Sequence, residues 1–327
     1  MFHKTFCPTC GKSGSFAKTH RKPDSCGEPP FGGFWFTSET NSDKIAAAIS
    51  FRENGMKKET FAADRIRAYL GQTNTVGCRI DCFASIDSTN AYLKRIASGG
   101  APDGTAAVAA EQTAGRGRRG RVFQSAANQG VYLSVLLRPG LAADALMPLT
   151  GACAAAMCDA VERVCGVRPQ VKWTNDLVLN GKKLGGILTE LGMENGTIAY
   201  VIVGIGINVS QQKEDFRGEV ADLATSLEQE LGREVSKNDL AAAMIAALDA
   251  LYADLRCGDT AKYVERYRRD CVTIGKDVQL LWQDVREKVF ALDVDEQFGL
   301  VVRRENGKTE TIRTGEVSVR GLYGYVN

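Results

Sequence analysis

Four arginines and three glycines fill the seven residues Gly115-Arg116-Gly117-Arg118-Arg119-Gly120-Arg121. Glycine lacks Cβ, so the backbone there can approach a ligand closely and turn where other residues cannot. Arginine brings a planar, permanently charged fork that matches phosphate or carboxylate oxygens two at a time. So many like charges side by side repel, so the segment is expected to stay poorly ordered until an anion such as a triphosphate arrives. By itself such a run reads more simply as a solvated basic loop or a weak nucleic-acid patch. Its flanks argue otherwise. Apolar Ala106 to Ala110 and then Glu111-Gln112-Thr113 precede it, and strand-like Val131 to Leu137 follows. The fold must hold this loop between two core strands, unlike an RGG-type tail in low-complexity sequence.

The chain has 327 residues, enough for about two domains, and its 44% apolar and 24% charged content is that of an ordinary globular protein. Net charge is +2, so there is no global basic field and anion binding must be local. No apolar run approaches the ~18 residues needed to span a bilayer. Residues 1–20 are polar and basic, without the apolar core of a secretory signal. Cys153, Cys158 and Cys165 lie in or beside an alanine-rich, helix-like stretch, as buried small residues do in a reducing compartment. No disulfide framework, no membrane contact and a cytoplasmic location are expected. The two histidines, His3 and His20, precede the main body of the sequence. Ser-His-Asp catalysis, Cys-His catalysis and His-ligated zinc are thereby excluded from that body.

Residues 1–55 are rich in Gly, Pro, Ser and Phe and show little periodicity before Ile45. Cys7-Pro8-Thr9-Cys10-Gly11 has the spacing of a zinc knuckle that His20 and Cys26 could complete, although the usual second CxxC is missing. The segment reads more simply as a disordered extension, and a third reading is translated upstream sequence. Arg52-Glu53-Asn54-Gly55 directly precedes Met56, and Arg-Glu codons can spell a purine-rich ribosome-binding site. Two domains are expected beyond it, over 57–270 and 272–327. In the first, helices are expected over 60–70, from an N-cap at Asp87-Ser88-Thr89-Asn90 to about Ala97, and over 145–164, 238–256 and 259–269. Strands are expected over 78–83 and 167–173, and two hairpins turn at Asn180-Gly181 and Asn195-Gly196. From Gly275 the pattern is purely β, with a kink at Gly299 and a turn at Asn306-Gly307, which suits a small barrel.

Lys172-Trp173-Thr174-Asn175-Asp176 ends a strand in an Asn-Asp pair, and Lys182-Lys183-Leu184-Gly185-Gly186-Ile187-Leu188 returns with a lysine before an apolar run. A lysine ammonium is a compact charge suited to bridging a carboxylate and an α-phosphate. Asp176 with Asn175 could hold Mg²⁺, which takes few protein oxygens plus phosphates. Each residue alone is as readily a surface charge or a turn residue. Gly204 and Gly206, in Val203-Gly204-Ile205-Gly206-Ile207-Asn208-Val209, leave a strand bare where a flat ligand could pack.

From about Phe61 to the C-terminus these motifs, in this order and spacing, closely resemble the biotin protein ligases, or biotin–[acetyl-CoA carboxylase] ligases. The resemblance implies an α+β catalytic domain with a mixed sheet, akin to class II aminoacyl-tRNA synthetases, followed by a small SH3-like β-barrel. It implies biotin contacts from Ser88, Thr89, Asn90, Gln112, Gly115, Arg116, Gly117, Arg118, Lys183, Gly204 and Gly206. It implies ATP contacts from Arg116, Arg118, Arg119, Arg121, Phe123, Lys172, Asn175, Asp176, Lys183 and Asn208, with Lys183 and Arg118 central to catalysis. Phe123 stands where an aromatic covers the adenine and where some relatives carry Trp. Thr174 stands where proline is usual. ATP, biotin and Mg²⁺ are the implied cofactors, and the partner is the biotin carboxyl carrier domain of a carboxylase.

Elementary chemistry agrees. A carboxylate is already an anionic nucleophile at pH 7, so attack on an α-phosphate needs positive charge rather than a general base. The resulting acyl-adenylate must be shielded from water until a carrier lysine attacks it. Three alternatives differ in kind. Lipoate or octanoate attachment would suit a more apolar pocket without the full Arg/Gly loop. A biotin-responsive DNA-binding repressor needs a helix-turn-helix of about sixty residues, and residues 1–44 show no helical periodicity. A plain nucleic-acid-binding module finds no further basic stretches. Specific DNA binding is not expected.

Overall fold

The structure is a computed structural model describing residues 60–73, 75–218, 221–282, 285–313 and 318–321. The zinc-knuckle residues and the rest of segment 1–55 lie outside the described residues. Lys58–Asn327 holds together as one unit, built on two sheets.

In the larger sheet, β1 (Ile80–Phe83), β2 (Ala106–Ala109), β3 (Gly130–Leu137), β4 (Gln170–Lys172), β5 (Asp176–Leu179), β6 (Lys182–Glu194) and β7 (Thr197–Asn208) lie in the order β1-β2-β3-β7-β6-β5-β4. β1 and β2 run parallel and every other neighbouring pair is antiparallel. The sheet is therefore mixed, as expected. The β5–β6 and β6–β7 turns fall at Asn180-Gly181 and Asn195-Gly196, all four residues with positive φ. That is what a two-residue hairpin of the right-handed strand twist requires.

Strand periodicity assigns the two faces. On β3, Val131, Leu133, Val135 and Leu137 enter the main core, and on β7 Val201, Val203, Ile205 and Ile207 do the same. Helices cover that side: α1 (Ala63–Leu70), α3 (Ala143–Leu146), α4 (Leu149–Cys165), α6 (Lys237–Arg256) and α7 (Ala261–Asp270), while α5 (Leu227–Leu231) is a single short turn. The opposite face is partly covered by α2 (Thr89–Ala97), whose Leu93 and Ala97 pack with Ala107, Leu136 and Ile202. Further along that face, Ser134, Gly204 and Gly206 line the cleft described below.

The expected helix over 145–164 is interrupted at Met147-Pro148, where Pro148 caps α4. Proline lacks the N–H that a continuing helix would need but suits a helix start. The expectation about apolar runs is corrected here too. Ala143–Cys165 is long and apolar enough to cross a membrane, yet it is mostly buried inside the protein, as a core helix is. Its Cys153 and Cys158 are buried free thiols, pushed up by loss of solvent.

The second sheet is antiparallel: β8 (Asp277–Trp282), β9 (Val285–Val294), β10 (Leu300–Arg304), β11 (Thr309–Ile312) and β12 (Ser318–Gly321), in the order β11-β10-β9-β8-β12. It is consistent with a small β domain. The kink expected at Gly299 belongs to its neighbour. Phe298 takes φ +60°, while Gly299 is glycine for space, since a Cβ there would stand 2.6 Å from Thr311. Phe298 thereby plugs into the larger sheet's side. Its ring lies edge-on to Tyr267 at 5.1 Å, and its carbonyl accepts from Trp173 Nε1 at 2.8 Å.

Candidate active site

The face left open by α2 forms a cleft of about 1010 Å³. Its floor comes from the sheet, where register places Ser134, Gly204 and Leu188 in one row and Tyr132, Gly206 and Gly186 in the next. Both glycines of β7 are spatial necessities. A Cβ on Gly204 would stand 2.1 Å from Asn90 Oδ1, and one on Gly206 would stand 2.4 Å from the Phe123 ring.

A polar relay runs across this floor. Ser88 caps α2, its side chain accepting from Ala91 N, and so fixes where Thr89 and Asn90 point. Gln112 Oε1 accepts from Thr89 N at 2.8 Å and lies 3.0 Å from Thr89 Oγ1, while Gln112 Nε2 donates to Ser125 Oγ. Thr89 Oγ1 and Ser134 Oγ are 2.7 Å apart, and Ser134 Oγ donates to Asn90 Oδ1. Asn90 Nδ2 donates to Glu190 Oε2 at 2.7 Å, and Lys94 Nζ bonds the other oxygen of Glu190. Burial pushes the Glu190 carboxyl up, but the Lys94 and Asn90 hydrogen bonds outweigh it and hold it below the usual range. Three oxygen–oxygen contacts, Gln112–Thr89–Ser134–Asn90, thus share only two hydroxyl protons. The relay is one donor short.

The opposite wall is cationic. Arg118 Nη1 donates to Asn175 Oδ1 at 2.7 Å, and Asn175 Nδ2 donates to the Ile187 carbonyl at 2.8 Å. Loss of solvent lowers the Arg118 pKa, the neighbouring Asp176 charge opposing it. Lys183 Nζ donates to Asp176 Oδ1 at 2.6 Å. A register shift between Leu177 and Val178 makes a β-bulge here, and Lys183 also pairs through its backbone with Leu223 and Thr225. Bulges re-aim side chains, and Gly186 leaves the room, since its Cβ would stand 3.3 Å from Asp176 Oδ1. Lys172, only 7% exposed, and Thr174 complete this wall.

The Arg/Gly loop differs from its expected disorder. It is a narrow hairpin closed by Gly117 N to Arg121 O at 2.7 Å and Phe123 N to Gly115 O at 3.0 Å, with Arg119 at φ +60°. The Asn175 anchor and this turn offset the charge repulsion that argued for a disordered loop. Arg116, Gly117, Arg118, Arg119, Arg121 and Phe123 line the cleft. Gly115 does not. A Cβ there would meet Phe123 O at 2.5 Å and Ser125 Oγ at 2.7 Å, and the Gly115 carbonyl closes the hairpin. Asn208 reaches the cleft, but its amide donates to Thr225 O and accepts from Gln211 Nε2, tying the strand end to the following segment.

Sequence reasoning passed over Ser134, Glu190 and Lys94. A single serine in the run Val131 to Leu137, and a single carboxylate in Ile187 to Leu191, were the available signals. Asp176 is the one carboxylate lining the cleft among the described residues, and no three His, Cys, Asp or Glu side chains cluster there.

Residues 82–208 match the biotin/lipoate A/B protein ligase family. The bifunctional ligase/repressor BirA of Bacillus spizizenii is 40% identical over 169 residues, 52% of each chain. The chain thus spans about half the length of that relative. The biotin–[acetyl-CoA-carboxylase] ligase of Mycobacterium tuberculosis is 34% identical over 246 residues, covering 73% of this chain and 88% of the relative. Among solved structures, the biotin protein ligase of Aquifex aeolicus in complex with biotin and ATP aligns with a TM-score of 0.64 and 27% identity, over 75% of this chain and 99% of that one. On fold, identity and coverage, the chain belongs to the biotin protein ligases of the biotin/lipoate A/B protein ligase family.

Proposed function

We propose that this protein uses ATP to convert biotin to biotinyl-5′-AMP and then transfers biotin to a lysine of the biotin carboxyl carrier domain of a carboxylase. The observation that carries the reading is the pairing of a donor-short polar floor with a histidine-free cationic wall. A cyclic urea brings two N–H donors, which a floor lacking a proton accepts. Lipoate and octanoate bring none, and would leave that floor unsatisfied at a cost of about 1–3 kcal/mol.

The carboxylate oxygen of biotin attacks the α-phosphorus, the bond to the bridging oxygen breaks, and pyrophosphate leaves. Lys183 stands where that carboxylate and phosphate would meet, held there by Asp176. Arg116 and Arg118 offset the phosphate charge, and Arg119, Arg121 and Lys172 extend the field to the leaving pyrophosphate. Phe123, seated over Gly206, covers the adenine. The ε-amine of the carrier lysine then attacks the acyl carbon, the proton leaves the amine, and AMP departs. Mg²⁺ fits only as an ion that arrives on phosphate oxygens, with Asp176 as its protein ligand; it would neutralise charge on the triphosphate.

We further propose a cytoplasmic protein that acts without a membrane and without sequence-specific DNA binding. Specific retention on the promoters of biotin genes at physiological salt, with biotinyl-5′-AMP present, would overturn the last point. The ligase reading is tested by incubating protein, Mg²⁺-ATP and biotin with a purified biotin carboxyl carrier domain. Mass spectrometry should find one biotin on one lysine of the carrier. An unmodified carrier, or one modified by lipoate instead, contradicts it.

A further inference from the structure

Resting on the biotin reading, we propose that Glu190 is a positioning residue that sets the direction of hydrogen bonding along the cleft floor and so makes the site select ligands carrying N–H donors. The argument is one of proton placement. An ionised carboxylate only accepts. Glu190 Oε2 therefore forces Asn90 to turn Nδ2 toward it, and Asn90 Oδ1 toward Ser134. Lys94, which only donates, occupies the other oxygen and keeps the carboxylate ionised. Ser134 must then give its proton to Asn90. The single Thr89 proton is left to serve two contacts, Gln112 Oε1 at 3.0 Å, to which Thr89 Oγ1 can donate, and Ser134 Oγ at 2.7 Å. Whichever of them it fills, the other oxygen–oxygen contact at Thr89 has no proton. Gln112 cannot turn its amide over, because its oxygen accepts from Thr89 N and its nitrogen donates to Ser125. That end is open to a donor from the ligand.

Glu190→Gln reverses the polarity. Lys94 still requires an oxygen, so the new amide nitrogen faces Asn90. Asn90 must turn its oxygen to Gln and its nitrogen to Ser134. Ser134 then donates to Thr89, and Thr89 donates to Gln112. All three oxygen contacts become satisfied, and the acceptor end disappears. The substitution gives up one partly exposed ion pair, a weak contributor to stability, and completes one buried hydrogen bond, which offsets it. Stability should not suffer while urea recognition does.

The test compares wild type, Glu190→Gln, and the pair Asn90→Asp with Glu190→Gln, by pyrophosphate exchange and by the melting temperature of the ligand-free protein. In the pair the Gln amide donates to an Asp carboxylate that still accepts from Ser134, which restores the original direction. For Glu190→Gln the KM for biotin should rise about ten- to a hundredfold. Its kcat at saturating biotin and its KM for ATP should stay near the wild-type values, and its melting temperature should be unchanged or higher. The pair should recover most of the biotin affinity. A wild-type KM for biotin in Glu190→Gln overturns the proposal. So does a clear fall in its ligand-free melting temperature, or failure of the pair to recover. The melting temperature needs no ligand. Wild-type exchange that ignores biotin would instead overturn the ligase reading, a separate outcome.

Discussion

Lys183 reaches Asp176 across a β-bulge, Nζ to Oδ1 at 2.6 Å, at the one point of the cleft wall where Gly186 supplies no side chain. The ammonium is therefore set in place by the fold before any ligand enters. Lys183→Ala should strike the chemical step, lowering single-turnover adenylate formation about 10²- to 10³-fold, as loss of one preorganised donor does. Adenylate formed at the wild-type rate would show that the charge is needed elsewhere.

Arg118 holds a different position, since it hangs from Asn175 on a hairpin rather than from the sheet. Arg118→Gly should still form the adenylate but release it, and released acyl-adenylate labels bystander lysines. Asn175→Ala should leak in the same way, because it unties the same guanidinium. The check is the rate of adenylate release beside its rate of formation; a variant that retains adenylate as tightly as the parent contradicts this division of roles.

Gly206→Ala places a Cβ 2.4 Å from the Phe123 ring, which must move. The KM for ATP should rise about tenfold, the scale of one lost base–aromatic stack, with a smaller change in the KM for biotin. Equal rises in both constants would place Phe123 over some other part of the ligand.

Much of this arrangement is legible in the sequence. The N-cap at Ser88 and both Asn-Gly hairpins follow from local chemistry, the mixed sheet follows from the family resemblance, and the motif residues that line the cleft lie on or beside those elements. The rest depends on register. Nothing local tells that Ser134 will stand beside Gly204, or that Glu190, two residues beyond Leu188 on the same strand face, will meet Asn90 from a helix 100 positions away in the chain. The folded hairpin of the Arg/Gly loop was missed because its anchor, Asn175, lies 57 residues distant. A glycine needed for space, as Gly115 is against Phe123 O and Ser125 Oγ, and one needed for a ligand are identical in sequence.

Arg168 and Asp270 join α7 to the approach of β4, with Arg168 Nη2 2.6 Å from Asp270 Oδ2 and the carboxylate only 7% exposed. Burial pushes the Asp270 carboxyl up, but hydrogen bonds from Arg168 and Arg269 outweigh it and hold it below the usual range. A depressed folded pKa stabilises fully above the ordinary aspartate value of about 3.9 and is lost as pH falls through the folded value. Arg168→Met should therefore be less stable at pH 7 by about 3 kcal/mol, the scale of a broken buried pair. The gap to wild type should narrow as pH drops below the ordinary aspartate range. Thermal denaturation across pH 2 to 7 checks both; a gap independent of pH would assign the loss to packing alone.

The most direct measurement of the central claim is ATP–pyrophosphate exchange with Mg²⁺ and biotin, lipoate or octanoate supplied in turn. A donor-short floor beside a cationic wall predicts exchange that requires biotin and is not supported by either acid lacking N–H groups. Exchange driven by lipoate or octanoate and indifferent to biotin would contradict the account.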